Sequence, residues 1–159
     1  MQDELRTARG AGEGQSAGVT RTVEETIGYL FAKVCRAHRA SIGGLLAVVG
    51  LHVGQEMFLL ELWNEDGLKV GELADRLGVE PPTVTRMLRR MESCGFVERR
   101  SDLTDARSFR VYLTEKGRTL EKPVCHIWEQ AEEKTLQGIS PEERLILRQL
   151  LAQVRKNLG

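Results

Sequence analysis

The feature that most constrains this chain is a double change of hydrophobic period between residues 67 and 113. Val70, Leu73, Ala74 and Leu77 recur at the spacing of one helix face, and Gly78 closes that run. After Val79 and Glu80 a second helical run opens at Pro81-Pro82, carries Val84, Leu88 and Met91 on one face, and stops at Gly95. The residue before a proline avoids the helical region, so Pro81 is expected at the cap and Pro82 at the first helical position. From Phe96 the period falls to two. Val97 and Arg99 lie on one side of a polar tip that runs from Asp102 to Arg107; Phe109, Val111 and Leu113 alternate with Ser108, Arg110 and Tyr112 on the other. Two short helices joined by a tight turn and followed at once by a hairpin form a helix-turn-helix with a wing.

Longer helices flank this segment. Ile27, Leu30, Val34 and Ala37 fall at helical spacing within one long amphipathic helix expected from Thr22 to Leu46. Met57, Phe58, Leu59, Leu60, Leu62 and Trp63 are apolar on nearly every face, as in a helix at the centre of a core. Asn64 to Gly67 reads as a turn. Thr114 caps a further helix through Leu120, Val124, Ile127, Ala131 and Leu136, while Ser140-Pro141-Glu142-Glu143 is a capping box with proline at N1 before Leu147, Leu150, Leu151, Val154 and Leu158. The fold class is therefore mainly α (α+β): a winged helix-turn-helix with long N- and C-terminal dimerisation helices. Residues 1–20, with Gly10, Gly12, Gly14 and Gly18, read as a flexible arm, and 21–159 as a single domain in which 64–113 form the winged unit and 21–63 and 114–159 the core and dimerisation helices. The C-terminal apolar stripes exceed what one small domain can cover, so a homodimer is expected.

Net charge is zero over 159 residues, but its distribution is uneven. Residues 1–80 carry 8 Lys/Arg against 12 Asp/Glu, 81–110 carry 7 against 4, and 111–159 carry 8 against 7, giving balances of −4, +3 and +1. The positive excess falls on the second short helix and the hairpin, where it can build a phosphate-binding face. No apolar run is long enough to span a membrane and no secretion signal opens the chain, so a cytoplasmic location without membrane partners is expected. Cys35, Cys94 and Cys125 are widely spaced, with no CxxC, which argues for reduced thiols rather than disulfides.

On the second helix the inward positions Val84, Leu88 and Met91 leave Pro82, Thr83, Thr85, Arg86, Arg89 and Arg90 on or near the outer face. Hydroxyls and guanidinium groups there suit the major groove of double-stranded DNA, arginine bonding guanine through two hydrogen bonds. In the wing, Asp105 can orient Arg107 towards a narrow minor groove, with Arg99, Arg100 and Arg110 flanking it as phosphate contacts.

Residues 67–117, and above all Asp105-Ala106-Arg107 followed by Leu113-Thr114-Glu115-Lys116-Gly117, resemble the MarR (multiple antibiotic resistance regulator) family of repressors. The resemblance implies a transcription regulator that dimerises through interlocked terminal helices. It further implies a pseudo-palindromic operator, recognition helices in successive major grooves and the wing arginine in the minor groove. It also implies release by a small aromatic or phenolic anion, for which His38, His52, Met57, Phe58 and Trp63 are candidate pocket residues. Two alternatives stay open: a thiol-based redox sensor using Cys35, whose neighbours include Arg36, His38 and Arg39, and a winged helix that binds protein without DNA. His38, His52 and His126 lack ligand spacing, so neither a metal nor a cofactor is expected. No GxSxG, P-loop or HExxH pattern supports an enzyme.

Overall fold

The computed structural model describes residues 22–102, 105 and 108–159. The arm at 1–20 and the wing residue Arg107 lie outside them. Among the described residues, seven α-helices, α1 (Ile27–Val48), α2 (Gln55–Asn64), α3 (Val70–Leu77), α4 (Pro81–Ser93), α5 (Glu115–Thr119), α6 (Glu121–Thr135) and α7 (Pro141–Leu158), accompany three strands, β1 (Leu68–Lys69), β2 (Val97–Ser101) and β3 (Phe109–Leu113).

Three expected boundaries move, each for a local reason. The first helix does not start at Thr22. Thr22 caps a single 3₁₀ turn, Val23–Glu25, and Thr26 then adopts an extended conformation so that its hydroxyl can accept from Tyr29 N–H and start α1. At α4 the cap is Glu80, with φ −66° and ψ 142°, and both prolines lie in the first turn. Glu80 is itself the residue before a proline and takes the extended conformation, while Pro81 and Pro82 occupy positions whose N–H groups have no partner in the helix. The helix capped by Thr114 breaks at Leu120 into α5 and α6. Pro123 explains the break, because it has no N–H to give the Thr119 carbonyl and its ring crowds that group.

The winged unit closes as expected. Gly78 (φ 62°) and Gly95 (φ 71°) end α3 and α4 in the left-handed conformation. Val79 N–H then reaches Ala74 O and Phe96 N–H reaches Met91 O, which satisfies carbonyls that the helices leave open. β2 pairs antiparallel with β3, Val97 facing Leu113 and Arg99 facing Val111, and β3 pairs with β1 through Leu68–Val111 and Lys69–Arg110. Strand β1 is too short for alternation to reveal it in the sequence. Asp66, read as a turn residue, also crosslinks this region: its carboxylate accepts from the N–H groups of Gly67 and Leu113 and pairs with Arg118.

Phe58, Leu59 and Leu62 of α2 form the centre of the core, covered by Leu73 and Ala74, by Val84, Leu88 and Met91, by Val111 and Leu113, and by Val124, Ile127 and Ala131 of α6. A fully buried Leu or Met contributes about 1.5–3 kcal/mol, which outweighs the few tenths per residue lost to threonine and valine in α4. Burial therefore fixes the rotation of α4 and decides which of its residues face outward. In contrast, α7 has no buried residue; Leu145, Ile146, Leu150, Leu151, Val154 and Leu158 are exposed, as are Leu30, Phe31 and Val34 of α1. Among the described residues no helix is long and apolar enough to cross a membrane.

Candidate nucleic-acid interface

With Val84, Leu88 and Met91 inward, α4 presents Pro82, Arg86, Arg89 and Arg90 at the surface and half-buries Thr83 and Thr85. Thr85 donates its hydroxyl to Pro81 O at 3.0 Å, which fixes that side chain against the first turn. Arg86 lies 3.4 Å from the Thr83 hydroxyl. Among the described residues no carboxylate holds Arg86, Arg89 or Arg90.

Other arginines near the wing are neutralised within the fold. Arg76 pairs with Glu65, Arg100 with Glu98, and Arg118 with Asp66. Arg99 makes two hydrogen bonds to Glu92, at 2.9 and 2.6 Å, and its guanidinium lies over the Phe109 ring. Arg110 donates to Asp102 at 2.8 Å and to Gly67 O at 2.9 Å. Arg99, Arg100 and Arg110, all three expected to meet phosphate, thus already have partners in the protein. Asp105 accepts from Ser108 N–H through its carbonyl, and the expected Asp105–Arg107 pair lies outside the described residues.

The five residues expected to line a ligand pocket are dispersed. Phe58 is fully buried in the core, Trp63 gives its indole N–H to Gly117 O at 3.1 Å, and Met57 is on the surface. His38 opens onto a cavity of about 770 Å³ between α1, α6 and α7, where its ring lies 5.8 Å from that of Trp128. His52 lines a different cavity of about 220 Å³ with Val53, Gln55, Thr83, Arg86, Met87 and Arg90. Cys35 is exposed on α1. Among the described residues no three His, Cys, Asp or Glu side chains gather as metal ligands.

Three polar residues were not singled out by sequence reasoning. Glu56, at the start of α2, is buried, and desolvation raises its pKa above the ordinary 4.5 against the opposing hydrogen bonds of the Glu56 and Gly54 backbone and the Arg39 charge. Asp102 is buried at the end of β2 against Lys69 and Arg110. Lys69 is a β1 residue, and that strand was itself missed.

A helix pair joined at a left-handed glycine, a three-stranded wing and a carboxylate-free arginine face define a winged helix-turn-helix DNA-binding protein. The MarR family model matches residues 52–109. The chain is 37% identical over 123 residues to the HTH-type transcriptional regulator TtmR of Methylorubrum extorquens (strain PA1), covering 77% of this chain and 60% of that protein. It is 30% identical over 125 residues to the HTH-type transcriptional repressor Rv2887 of Mycobacterium tuberculosis, covering 78% of this chain and 90% of the repressor. A MarR transcriptional regulator from Methanosarcina mazei Go1 superposes with a TM-score of 0.74 at 31% identity, over 83% of this chain and 96% of that one. The chain belongs to the MarR family, and it is a DNA-binding transcription regulator, not an enzyme.

Proposed function

We propose that this protein is a sequence-specific repressor that binds a pseudo-palindromic operator as a homodimer and is released by a small aromatic anion. The observation that carries the DNA reading is the contrast between Arg86, Arg89 and Arg90, which no described carboxylate neutralises, and the paired arginines around them. A guanidinium with no ion pair, on a helix whose inward face is locked, gives up no internal carboxylate when it meets phosphate or a base edge. Pro82, Thr83 and Thr85 lead this face, and Arg99, with Asp105 and Arg107 of the wing sequence, would extend the contact to the wing. Dimerisation is supported by the exposed apolar faces of α1 and α7, which a second copy would cover.

Release by an anion is supported by the smaller cavity, whose Arg86 and Arg90 also belong to the DNA face. A carboxylate held there would engage the charges that DNA needs, while Val53 and Met87 offer apolar wall to a ring. Of the pocket residues expected from the sequence, His52 alone lies here. The test is selection of bound fragments from genomic DNA, followed by titration of the best duplex at several salt concentrations with and without benzoate. Binding should fall by about 0.9 in log K per log unit of salt for each phosphate neutralised, and benzoate should weaken it. A flat salt response sinks the DNA-face reading, and indifference to aromatic carboxylates sinks the effector reading alone.

A further inference from the structure

The end of the wing is tied down by an ion cluster around one buried carboxylate, which the DNA-face reading leaves unused. The sheet order is β1-β3-β2, so Asp102, which follows β2 on one edge, reaches across the central strand. Its side chain is 1% exposed, and Oδ2 accepts from Arg110 Nε of β3 at 2.8 Å and lies 3.2 Å from Lys69 Nζ of β1. Arg110 also donates to Gly67 O, ahead of β1, and Asp102 N–H donates to Ser108 O across the hairpin. One carboxylate thus ties together both arms of the wing and the strand that leads into α3.

Charge makes the arrangement more than a staple. Arg100 stands directly opposite Arg110 in the ladder, and like charges at that spacing repel. Glu98 takes Arg100 and Asp102 takes Arg110, so each guanidinium has its own carboxylate to offset that repulsion. Without the carboxylate, Lys69 would lose its ion pair and Arg110 would keep only the Gly67 carbonyl, leaving two cations near the turn end of the wing with no anion of their own.

We propose that Asp102 is a positioning residue for specific DNA recognition: it aims the wing through Arg110 and Lys69, and it withholds those two cations from non-specific phosphate binding. The proposal rests on the wing meeting DNA as described above. Two effects then follow from one group. A fixed wing has one docking geometry, which favours the correct site, and sequestered cations add nothing to affinity for incorrect ones.

The experiment uses the full chain and two duplexes of equal length, the strongest fragment from the genomic selection and a random sequence, each titrated over a range of salt. For Asp102→Asn, circular dichroism should stay that of the parent and affinity for the selected duplex should fall about tenfold, the size of one lost base contact. Random-duplex binding should be kept or tightened, with a steeper salt slope because the released cations reach phosphate. Lys69→Met is the second variant and decides the matter alone if Asp102→Asn does not fold, since the lysine is more than a third exposed and its loss spares the core. It should weaken the selected duplex by a smaller factor and leave the random duplex unchanged. The proposal is overturned if Asp102→Asn folds and keeps the parent's ratio of selected to random affinity, or if Lys69→Met weakens both duplexes equally with a shallower salt slope, which would make Lys69 an ordinary phosphate contact. If the parent itself shows no salt-dependent preference for the selected duplex, the DNA-face reading fails first and this one with it.

Discussion

Gly117 lies so close to Phe96 that a Cβ on the glycine would stand 2.1 Å from the Phe96 carbonyl oxygen. The reason for glycine here is approach, not backbone conformation, since Gly117 is an ordinary helical residue of α5. Its N–H donates to Thr114 Oγ1 and its carbonyl receives the Trp63 indole, so α2, the foot of the wing and α5 meet at this point. Thr114 also donates to the carbonyls of Gly95 and Phe96. The Leu-Thr-Glu-Lys-Gly stretch is thus a junction that fixes the wing to the helical core.

Gly117→Ala should accordingly destabilise the fold by about 1–3 kcal/mol, the usual cost of overpacking a tight contact. Urea unfolding followed by the fluorescence of the two tryptophans, Trp63 and Trp128, gives the midpoint. A variant as stable as the parent, with an unchanged native spectrum, would mean that the two backbones separate without cost.

Glu56 makes stability depend on pH in the direction opposite to a salt-bridged carboxylate. Burial raises its folded-state pKa, so the folded protein holds this proton more tightly than the unfolded chain does. Stability from this group is therefore fully present below the unfolded value of 4.5 and is lost as pH rises through the higher folded value. Glu56→Gln keeps an oxygen to accept the Gly54 N–H, now bonded to the carboxylate at 2.6 Å, but cannot ionise. It should melt higher than the parent near neutrality, with the gap closing towards acid. A gap that is constant with pH would show that the carboxylate does not titrate in that range.

The helices of the winged unit and their caps were legible because their causes are local. Val84, Leu88 and Met91 declare the inward face by spacing alone, and the Ser140–Glu143 box needs only its own four residues, closing with bonds of 2.9 and 3.2 Å. Charge pairing was not legible. Arg86 and Arg110 look alike in a sequence, but Arg110 meets Asp102 through the turn of a hairpin and Lys69 comes from a strand too short to announce itself. The pocket residues were dispersed for a related reason: Phe58 and Met57 are neighbours on one helix, and the register that buries the first exposes the second.

Dimerisation should depend on the exposed face of α7. Leu150 is 59% exposed and Leu151 44%, on a helix with no buried residue. Covering a leucine fully contributes about 1.5–3 kcal/mol, so several per subunit hold a dimer together and one charge among them opposes it. Leu150→Glu should lower the association state in light scattering at micromolar concentration and leave the helical signal in place. A parent chain that is itself monomeric under these conditions would show that a second copy does not cover this face.

Reading and positioning by the DNA face separate in Arg86 and Arg107. Arg86 lies in the second turn of α4 on the surface, with the Thr83 hydroxyl 3.4 Å away. If it bonds a base edge, Arg86→Ala should cost about 1–3 kcal/mol on the selected operator and much less on random DNA. Arg107, at the wing tip by sequence, should respond to groove width instead, because a narrow A·T-rich minor groove concentrates negative potential. Arg107→Ala should then weaken binding most where the flanking sequence is A·T-rich and little where it is G·C-rich. Arg86→Ala leaves Val84, Leu88 and Met91 in place, so its melting temperature should stay close to the parent's, surface changes lying within about 0.5 kcal/mol. Titration of each variant against operators that differ only in their flanks, and against random duplex, checks both expectations. If both variants bind every duplex as the parent does, the arginines of α4 and the wing form a solvated basic surface, and recognition must reside elsewhere on the molecule.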